Sequence, residues 1–595
     1  MKKIFNIIMI GALVLAQSCS EYLDEVNPNE LSVDTYWKTL DESESNLTSV
    51  YGGMLDQFVL GTEVDFTRTD MVFPGLGRLN APNYGLYNNW YTFGVGPDNR
   101  DLGDLWDSKY RVVFRANQVI QGLQSMSEDL KSQDKWTEQM AQARFFRGLM
   151  HFFLHATFNN GKIIIRDVIP TNSNEYGKAL SSSEEVIAFF REDLEFAYNN
   201  LPPQMEPKSR VDAGVAATVL GTSYLYEGNY SKAAEYFSDI VNNERGDYGY
   251  ALEQDVTKMF TNAGDFNSES IFEVNYSTNL KLEQTFFDEE SFFHRLARRT
   301  GPNGRNLVTN QTYQTQGWIV PSAWLTYEFS NEPMDSKDPR NYIDGDITGT
   351  MKNVSLRSQQ SIAVVNDESV DYYGSTAPNV FSFRAPRNGL FKKFTNHDIV
   401  TTEQATGTSG WKSGRNLIVY RLSGVYLMYA ECLVKTGDIA GALKYINDIR
   451  MRWGLQLLGP ALDASHDYDG LAYDETALMN HLMYKEYPLE LAFEGYSTRF
   501  LNMRRWGIQK ERFEELSKQP MHLINYTYIR ENGREGTRNG SLVQMGEANN
   551  NEFFQYIEAA NAWQSAPEPG SEIPDTGYYY LQLPNSEILY NPNSN

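Results

Sequence analysis

The stretch AGVAATVLGTSYLYEGNYSKAAEYFSDIV, residues 213–241, carries the clearest repeat pattern in the chain. It fits the tetratricopeptide pattern, a helix–turn–helix repeat of about 34 residues. Gly228 and Asn229 form the turn between the two helices. The register positions hold small residues where helices approach and large residues between neighbouring units, namely Leu220, Gly221, Tyr224, Ala233 and Phe237. The stretch therefore predicts two closely packed helices of a repeat scaffold.

A second stretch, YLMYAECLVKTGDIAGALKYINDIR at residues 426–450, falls in the same register. Its matching positions are Ala430, Gly437, Asp438, Ala442 and Ile446. Two matches in one register strengthen the prediction of a helical repeat. Cys432 lies on the first of these helices, where a small buried apolar side chain is expected.

Other helices follow from apolar residues spaced three and four apart. DLWDSKYRVVFRANQVIQGL (residues 104–123) and EQMAQARFFRGLMHFFLHATF (residues 138–158) predict another antiparallel pair. A helix near residues 181–202 opens with a serine cap followed by glutamate and closes at two prolines. From residue 248 the pattern changes, with a predicted strand at residues 269–277 and a region rich in Gly, Asn, Thr and aromatic residues. The predicted fold is mainly α, a helical repeat scaffold with a large loop-rich insertion containing short strands.

The first nineteen residues have the pattern of an export signal. Lys2 and Lys3 precede an apolar run at residues 4–16, and Ser18 stands directly before Cys19. The run is shorter than the roughly 20 residues that span a bilayer. A cysteine after a small residue resembles the lipobox of bacterial lipoproteins, which predicts a signal peptide at residues 1–18 and a lipid on Cys19. The alternative is an ordinary secretory signal in which Cys19 is incidental.

Composition limits the partners. The net charge of −25 and the pI near 4.8 argue against nucleic acid, because binding phosphates requires clustered Lys and Arg. If Cys19 carries lipid, Cys432 has no disulfide partner, so the fold depends on its apolar core. No second apolar run reaches spanning length, so the lipid is the only predicted membrane attachment. The acidic, aromatic-rich chain suits a neutral polar ligand.

Two constellations could carry chemistry. Three glutamates recur every four residues, as if on one helix face, and three arginines follow them: Glu486, Glu490, Glu494, Arg499, Arg504 and Arg505. Paired carboxylates can serve a glycosidase. Neighbouring arginines instead lower carboxylate pKa values and favour structural salt bridges, which is our prediction.

His151 and His155 lie four residues apart, but the glutamate of a zinc-protease motif is missing and the surroundings are apolar. We predict core histidines. The sequence contains no nucleophile elbow, phosphate-binding loop or cysteine cluster. It therefore predicts neither an enzyme nor a bound metal or cofactor.

Several segments resemble the SusD/RagB family, surface lipoproteins that bind nutrients for outer-membrane transporters in Bacteroidetes. In chain order they are EYLDEVNPNELSVDTYW, YRVVFRAN, AQARFFRGLMHFF, NSESIFEVNYS, VYRLSGVYLMYAECLVKTGD with YINDIRMRWGL, KEYPLELAFEG with RRWG, and YLQLPNSEILYNP. The resemblance implies about four tetratricopeptide-like helix pairs under a loop-rich ligand-binding face. It also implies a SusC-like TonB-dependent transporter as partner, and lipid anchorage in the outer membrane facing the cell exterior.

We expect three regions in the mature chain. Residues 19–247 form an N-terminal helical repeat lobe, residues 248–417 form the loop-rich ligand-binding region, and residues 418–595 complete the scaffold.

Aromatic residues in loops are the candidate ligand site. YGLYNNWYTF (residues 84–93) sets rings among Gly and Asn without a helical or strand period, and TYQTQGWIVPSAW (residues 312–324) forms a second cluster. Flat rings pack on sugar rings, while amide and guanidinium groups bond the hydroxyls. By region, the resemblance implies ligand binding at both clusters. We predict one shallow exposed platform made by Trp90, Tyr313, Trp318, Arg78 and Asn89; the alternative is that these rings fasten loops to the scaffold.

Three classes of function remain open. The preferred one is a non-catalytic lipoprotein that binds oligosaccharide or polysaccharide and delivers it to the transporter. The second is an exported enzyme such as a glycosidase. The third is a repeat-based adaptor or a peptide-binding member of the family.

Overall fold

The computed structural model describes residues 37–74, 85–170, 172, 175–280, 284–285, 288–403, 412–548, 550–568 and 577–594. Cys19 and Arg78 lie outside these residues, so the predictions made for them stay predictions. The described chain is mostly helical with short strands, which confirms the predicted fold class. None of its helices combines the length and hydropathy of a membrane span.

The N-terminal third is a succession of helices that pack on their neighbours. In chain order these are α1 (Leu40–Gly53), α2 (Gln57–Leu60), α3 (Thr62–Phe66), α4 (Gly85–Tyr91), α5 (Arg100–Ser125), α6 (Glu128–Lys131), α7 (Asp134–Thr157), α8 (Ser183–Asn200), α9 (Ala213–Tyr226) and α10 (Tyr230–Asn242). Strand β1 (Val72–Pro74) lies between α3 and α4, and a 3-10 turn, Asn159–Gly161, follows α7. The predicted pairs α5–α7 and α9–α10 are both in contact.

Small residues at the repeat positions allow this packing. A Cβ on Gly221 would lie 2.5 Å from a ring carbon of Phe237, so only glycine lets α9 approach α10 this closely. Helix α8 begins at the predicted serine cap: the Ser182 hydroxyl accepts from the Glu185 N–H, and the Glu185 carboxylate accepts from the Ser182 N–H. These contacts confirm how the sequence places the helical pairs.

The middle of the chain is built from short elements, as predicted. They are β2 (Ser270–Val274), α11 (Leu296–Thr300), β3 (Ile319–Pro321), α12 (Ala323–Ser330), α13 (Leu356–Ser361), β4 (Ile362–Val364), β5 (Asp371–Tyr372), β6 (Ser375–Thr376), α14 (Ala377–Val380) and β7 (Gly389–Phe391). Three 3-10 turns accompany them: Val256–Lys258, Asn262–Gly264 and Pro339–Asn341. Among the described residues every sheet is a two-stranded antiparallel pair: β1–β3, β2–β8, β4–β7, β5–β6 and β9–β10.

The C-terminal part returns to helices. It contains β8 (Leu417–Arg421), α15 (Leu422–Thr436), α16 (Ile439–Arg452), α17 (Glu475–His481), α18 (Tyr487–Glu490), α19 (Thr498–Arg505), α20 (Gln509–Lys518), β9 (Met521–Ile529), β10 (Glu535–Met545), α21 (Ile557–Trp563) and α22 (Asn585–Tyr590). Helix α15 packs on both α10 and α16, so the two predicted repeat units lie side by side. Cys432 is fully buried and free, as predicted.

The three spaced glutamates do not share one regular helix, contrary to prediction. Glu486 ends a π-helical turn, Leu482–Glu486, and Glu490 ends α18. Phe493 has a φ of 60°, a left-handed conformation that interrupts the helical backbone just before Glu494. Glu486 and Glu490 still lie on consecutive helical turns, because the π-helical turn and α18 follow each other directly.

Candidate functional site

The first predicted ring cluster is a helix. Residues Gly85–Tyr91 form α4, in which Tyr87, Trp90 and Tyr91 are each 0–1% exposed. The exposed placement predicted for Trp90 is therefore wrong: its ring is core. Its indole N–H has no hydrogen-bond partner among the described residues. The sequence did contain a signal, since rings at positions 87, 90 and 91 have the three-and-four spacing of one helix face.

Tyr313 is also buried, again contrary to the predicted platform. Its ring is 0% exposed and packs against Tyr373, with 5.1 Å between ring centroids. Its hydroxyl donates to the Val380 carbonyl oxygen at 3.0 Å. Tyr313 thus fastens its loop to the segment around α14, which is the alternative that the sequence left open.

Trp318 is the predicted ring that reaches the surface. It is only partly buried, and the Arg299 guanidinium lies 4.5 Å from its ring centroid. The Trp318 N–H donates to the Arg299 carbonyl oxygen at 2.8 Å, which fixes the backbone beneath the ring. Strand β3 begins at the next residue and pairs with β1, with Ile319 opposite Pro74. The C-terminal end of β1 therefore lies beside Trp318.

A buried carboxylate supports Arg299 from below. Glu63 on α3 accepts from Arg295 at 2.6 and 3.0 Å, from Arg299 Nε at 3.3 Å and from the Tyr87 hydroxyl at 3.1 Å. Burial opposes ionisation of Glu63, but the two arginines outweigh it and hold its pKa below the ordinary value. We call Glu63, Tyr87, Arg295, Arg299 and Trp318 the Trp318 cluster.

The Trp318 cluster joins two of the predicted regions. Tyr87 belongs to α4, which carries Asn89, and Asn89 is exposed. Glu63 links this helix to Arg299 and through it to Trp318. The charged cluster thus links α4, the helix that carries Asn89, to Trp318, whereas Trp90 and Tyr313 are buried in the interior.

Sequence reasoning missed the charged half of the cluster. Arg295 and Arg299 stand four apart on α11 and its cap in a region otherwise poor in helix, which is a weak signal for one positively charged face. Nothing in the sequence indicates Glu63 as their partner, because it lies 232 residues earlier than Arg295.

The glutamates considered for catalysis form a buried ion network, as predicted, but with other partners. Glu486 pairs with Arg357 and Arg450, at 2.6 and 2.8 Å, and Glu490 with Arg421 and Arg452, each at 2.7 Å. Burial opposes ionisation, yet these arginines hold the pKa of Glu486 and of Glu490 well below the ordinary range. Both carboxylates stay ionised at neutral pH and cannot donate a proton.

The arginines that follow them along the chain bind elsewhere, which corrects the prediction. Arg499 pairs with Asp70 at 2.7 Å, Arg505 pairs with Glu431, and Arg504 donates to the carbonyl oxygens of Ala156 and Tyr579. Proximity in sequence did not predict the pairing, because the fold brings Asp70 and Glu431 to these arginines from 429 and 74 residues away.

His151 is a core residue, as predicted, whereas His155 is only partly buried, with Nε2 2.8 Å from the Ser183 hydroxyl. His151 is 0% exposed, with Nδ1 2.8 Å from the Arg147 carbonyl oxygen and Nε2 3.2 Å from the Arg166 nitrogen. Burial lowers the pKa of His151 to about 4, so the ring is neutral. Within the described ranges, no three His, Cys, Asp or Glu side chains are placed to hold a metal ion.

Comparison with known families adds to this geometry. A sequence model described as "SusD family" matches residues 268–595. A second, described as "Starch-binding associating with outer membrane", matches residues 21–225. The chain is 24% identical to SusD-like protein P2 of Formosa agariphila, over 91% of this chain and 99% of that protein.

Solved structures share the fold. A SusD superfamily protein from Bacteroides vulgatus superposes with a TM-score of 0.68 at 19% identity, covering 94% of this chain and 99% of that one. A structure titled "Laminarin binding SusD-like protein" superposes with a TM-score of 0.59 at 21% identity, covering 80% of this chain and 94% of its own.

Proposed function

Because the chain belongs to the SusD family, we propose that it is a glycan-binding lipoprotein of the outer membrane. It binds oligosaccharide or polysaccharide without catalysis and delivers it to a SusC-like TonB-dependent transporter. The proposed ligand surface is the exposed side of the Trp318 cluster with Asn89 and Arg78 at its edge. Trp90 and Tyr313 are buried and are not part of this surface.

One observation carries the proposal: the partly exposed ring of Trp318 is held by Arg299, and Arg299 by the buried carboxylate of Glu63. A flat ring fixed in this way offers a face to a sugar without paying a large ordering entropy. The starch-binding description of the matching family model and the laminarin-binding title of one structural neighbour support a carbohydrate ligand.

We propose that the chain is not catalytic because of the ionisation state of its carboxylates. Glu63, Glu486 and Glu490 all have lowered pKa values because arginines pair with them. A glycosidase needs a protonated carboxylic acid beside the scissile bond.

An enzyme would have to use another group. Glu273 is 5% exposed, its pKa is raised by burial, and it lines a cleft of about 570 Å³ between α1 and β2. This favours hydrolysis as the second candidate function. Release of reducing ends from a polysaccharide by the purified chain, and its loss in Glu273→Gln, would support the enzyme and contradict our proposal.

The test of binding is a glycan array probed with the chain from Ser20 onward. We expect one class of neutral glycan to bind.

The test of delivery is extraction of the full chain from its native membrane in mild detergent. A TonB-dependent transporter should co-purify in equal amounts; recovery of the lipoprotein alone, while a known complex survives the same extraction, would contradict delivery.

A further inference from the structure

A second cleft lies along the outer face of α5, apart from the Trp318 cluster. Its volume is about 590 Å³, within the range of small-molecule sites. Helix α5 forms one wall, and residues from the segment after α7, from the loop before α11 and from α22 form the others. All its lining residues belong to the described chain.

Three aromatic rings follow one another along this wall. Trp106, Tyr110 and Phe114 are spaced by four residues, so they share one face of the helix over about 12 Å of its axis. Trp106 is 1% exposed and Phe114 is 45% exposed, with Tyr110 between them in burial. The Trp106 and Tyr110 centroids are 4.9 Å apart. Exposure of the rings therefore increases along α5, and the ring of Phe114 at the outer end is open to solvent.

The two inner rings are held rigidly. The Trp106 indole N–H donates to Glu587 Oε2 at 3.2 Å, and the Tyr110 hydroxyl donates to the Ile164 carbonyl oxygen at 2.7 Å. A ligand that packs on them therefore meets surfaces that are already ordered.

Polar groups with unused hydrogen-bonding capacity surround the rings. Among the described residues, the Gln118 amide and the Asp107 carboxylate make no hydrogen bond, and the Arg166 guanidinium lies 3.9 Å from Glu587, beyond hydrogen-bond distance. The lining carries three arginines and three carboxylates, namely Arg111, Arg115, Arg166, Asp107, Glu289 and Glu587, and the closest partners of Arg111 and Arg115 are Asp56 and Glu290 just outside it. Balanced charge favours neither an anion nor a cation.

We propose that this cleft is a second binding site, for a neutral saccharide. Phe114 and Tyr110 pack on the sugar rings, and Gln118, Asp107 and Arg166 bond their hydroxyls. Aromatic faces beside amide and paired charged groups match the alternating apolar faces and hydroxyl rims of a neutral sugar. The lining of this cleft shares no residue with the Trp318 cluster, so the site can bind a saccharide whether or not the Trp318 surface does.

Affinity gel electrophoresis of the full chain tests this site. Gels contain laminarin, starch or xylan as neutral probes and polygalacturonate as an acidic probe. The variants are Phe114→Ala, Gln118→Ala, Trp318→Ala and Phe114→Ala with Trp318→Ala. The control is Leu462→Ala, which removes a similar apolar surface from a residue 83% exposed elsewhere. Thermal melts confirm that each variant is folded.

In a neutral gel that retards the wild type, we expect Trp318→Ala to keep part of the retardation and the double variant to lose it. Phe114→Ala should weaken binding at the cleft about tenfold, as for anchor aromatics, and Gln118→Ala should weaken it less. Leu462→Ala should run as wild type.

Five results would overturn the site. Phe114→Ala could run as Leu462→Ala in every gel, or Trp318→Ala alone could abolish retardation. Either result would leave the proposed function standing. Phe114→Ala could change the migration only in the acidic gel. It could also lose a co-purifying protein while glycan binding is unchanged, and the cleft would then be a protein interface. If no polysaccharide retards the wild type, this site and the glycan-binding proposal both fail.

Discussion

Replacing Arg421 with glutamine should destabilise the fold without touching the ligand surface. Arg421 is 2% exposed in its side chain and contacts Glu490 at 2.7 Å, Glu494 at 2.6 Å and Glu269 at 3.2 Å. Its loss leaves buried carboxylates short of positive charge. Breaking a buried pair of this kind costs about 3–5 kcal/mol.

The length of the chain determines how large a change in Tm this loss of unfolding free energy produces. An unfolding entropy of about 2 cal/mol/K per residue gives about 1.2 kcal/mol/K for a chain of 595 residues. Arg421→Gln should therefore lower Tm by about 2.5–4 °C in scanning calorimetry. The matched control is Lys444→Ala, whose ion pair with Asp448 at 2.8 Å is 64% and 33% exposed.

The control should shift Tm by less than about 1 °C, because exposed ion pairs contribute about 1 kcal/mol or less. A Tm for Arg421→Gln within 1 °C of wild type would contradict a stabilising role of the network. So would a shift no larger than that of Lys444→Ala, since the network would then add nothing beyond a surface pair.

Two further predictions concern pH and anchorage. Burial raises the pKa of Asp212 from 3.8 to about 7, so its contribution to stability is fully present below 3.8 and is lost as pH rises through about 7. Asp212→Asn, which keeps an acceptor for the Val215 N–H, should raise Tm at pH 8 more than at pH 5; an equal shift at both pH values would contradict the burial argument. Cys19→Ala should leave a folded, exported chain that no longer fractionates with outer membrane after a high-salt wash; retention of that variant without its transporter would disprove lipid anchorage.

The helical scaffold could be predicted from sequence because its signals are local. Gly221 and Phe237 meet across one turn, and Ser182 caps its own helix through Glu185, three residues away. Spacing of three and four residues is enough to place such contacts.

The candidate site was only half predictable. Trp318 was found as a ring in an irregular segment, but the same criterion also selected Trp90 and Tyr313, which are buried. Irregular backbone does not mean exposure, since a loop ring can bury itself against a distant segment, as Tyr313 does against Tyr373. The partner of Arg299, Glu63, lies 236 residues away in sequence, and no local pattern can indicate it.

The ion network shows the same limit. Its structural nature followed from the abundance of arginine near Glu486 and Glu490. Its actual partners, Arg357, Arg421 and Arg452, come from other segments that the tertiary fold brings together.

Isothermal calorimetry of Trp318→Ala with the glycan that the array identifies, beside Tyr313→Phe, tests whether the Trp318 cluster is the ligand surface. Loss of the Trp318 ring should cost about 2 kcal/mol or more, a loss of affinity of roughly 30-fold. Tyr313→Phe should bind as wild type, because that hydroxyl bonds only the Val380 carbonyl oxygen inside the protein. If Trp318→Ala keeps its fold in a thermal melt and binds the glycan with wild-type affinity, the Trp318 cluster is not the ligand surface.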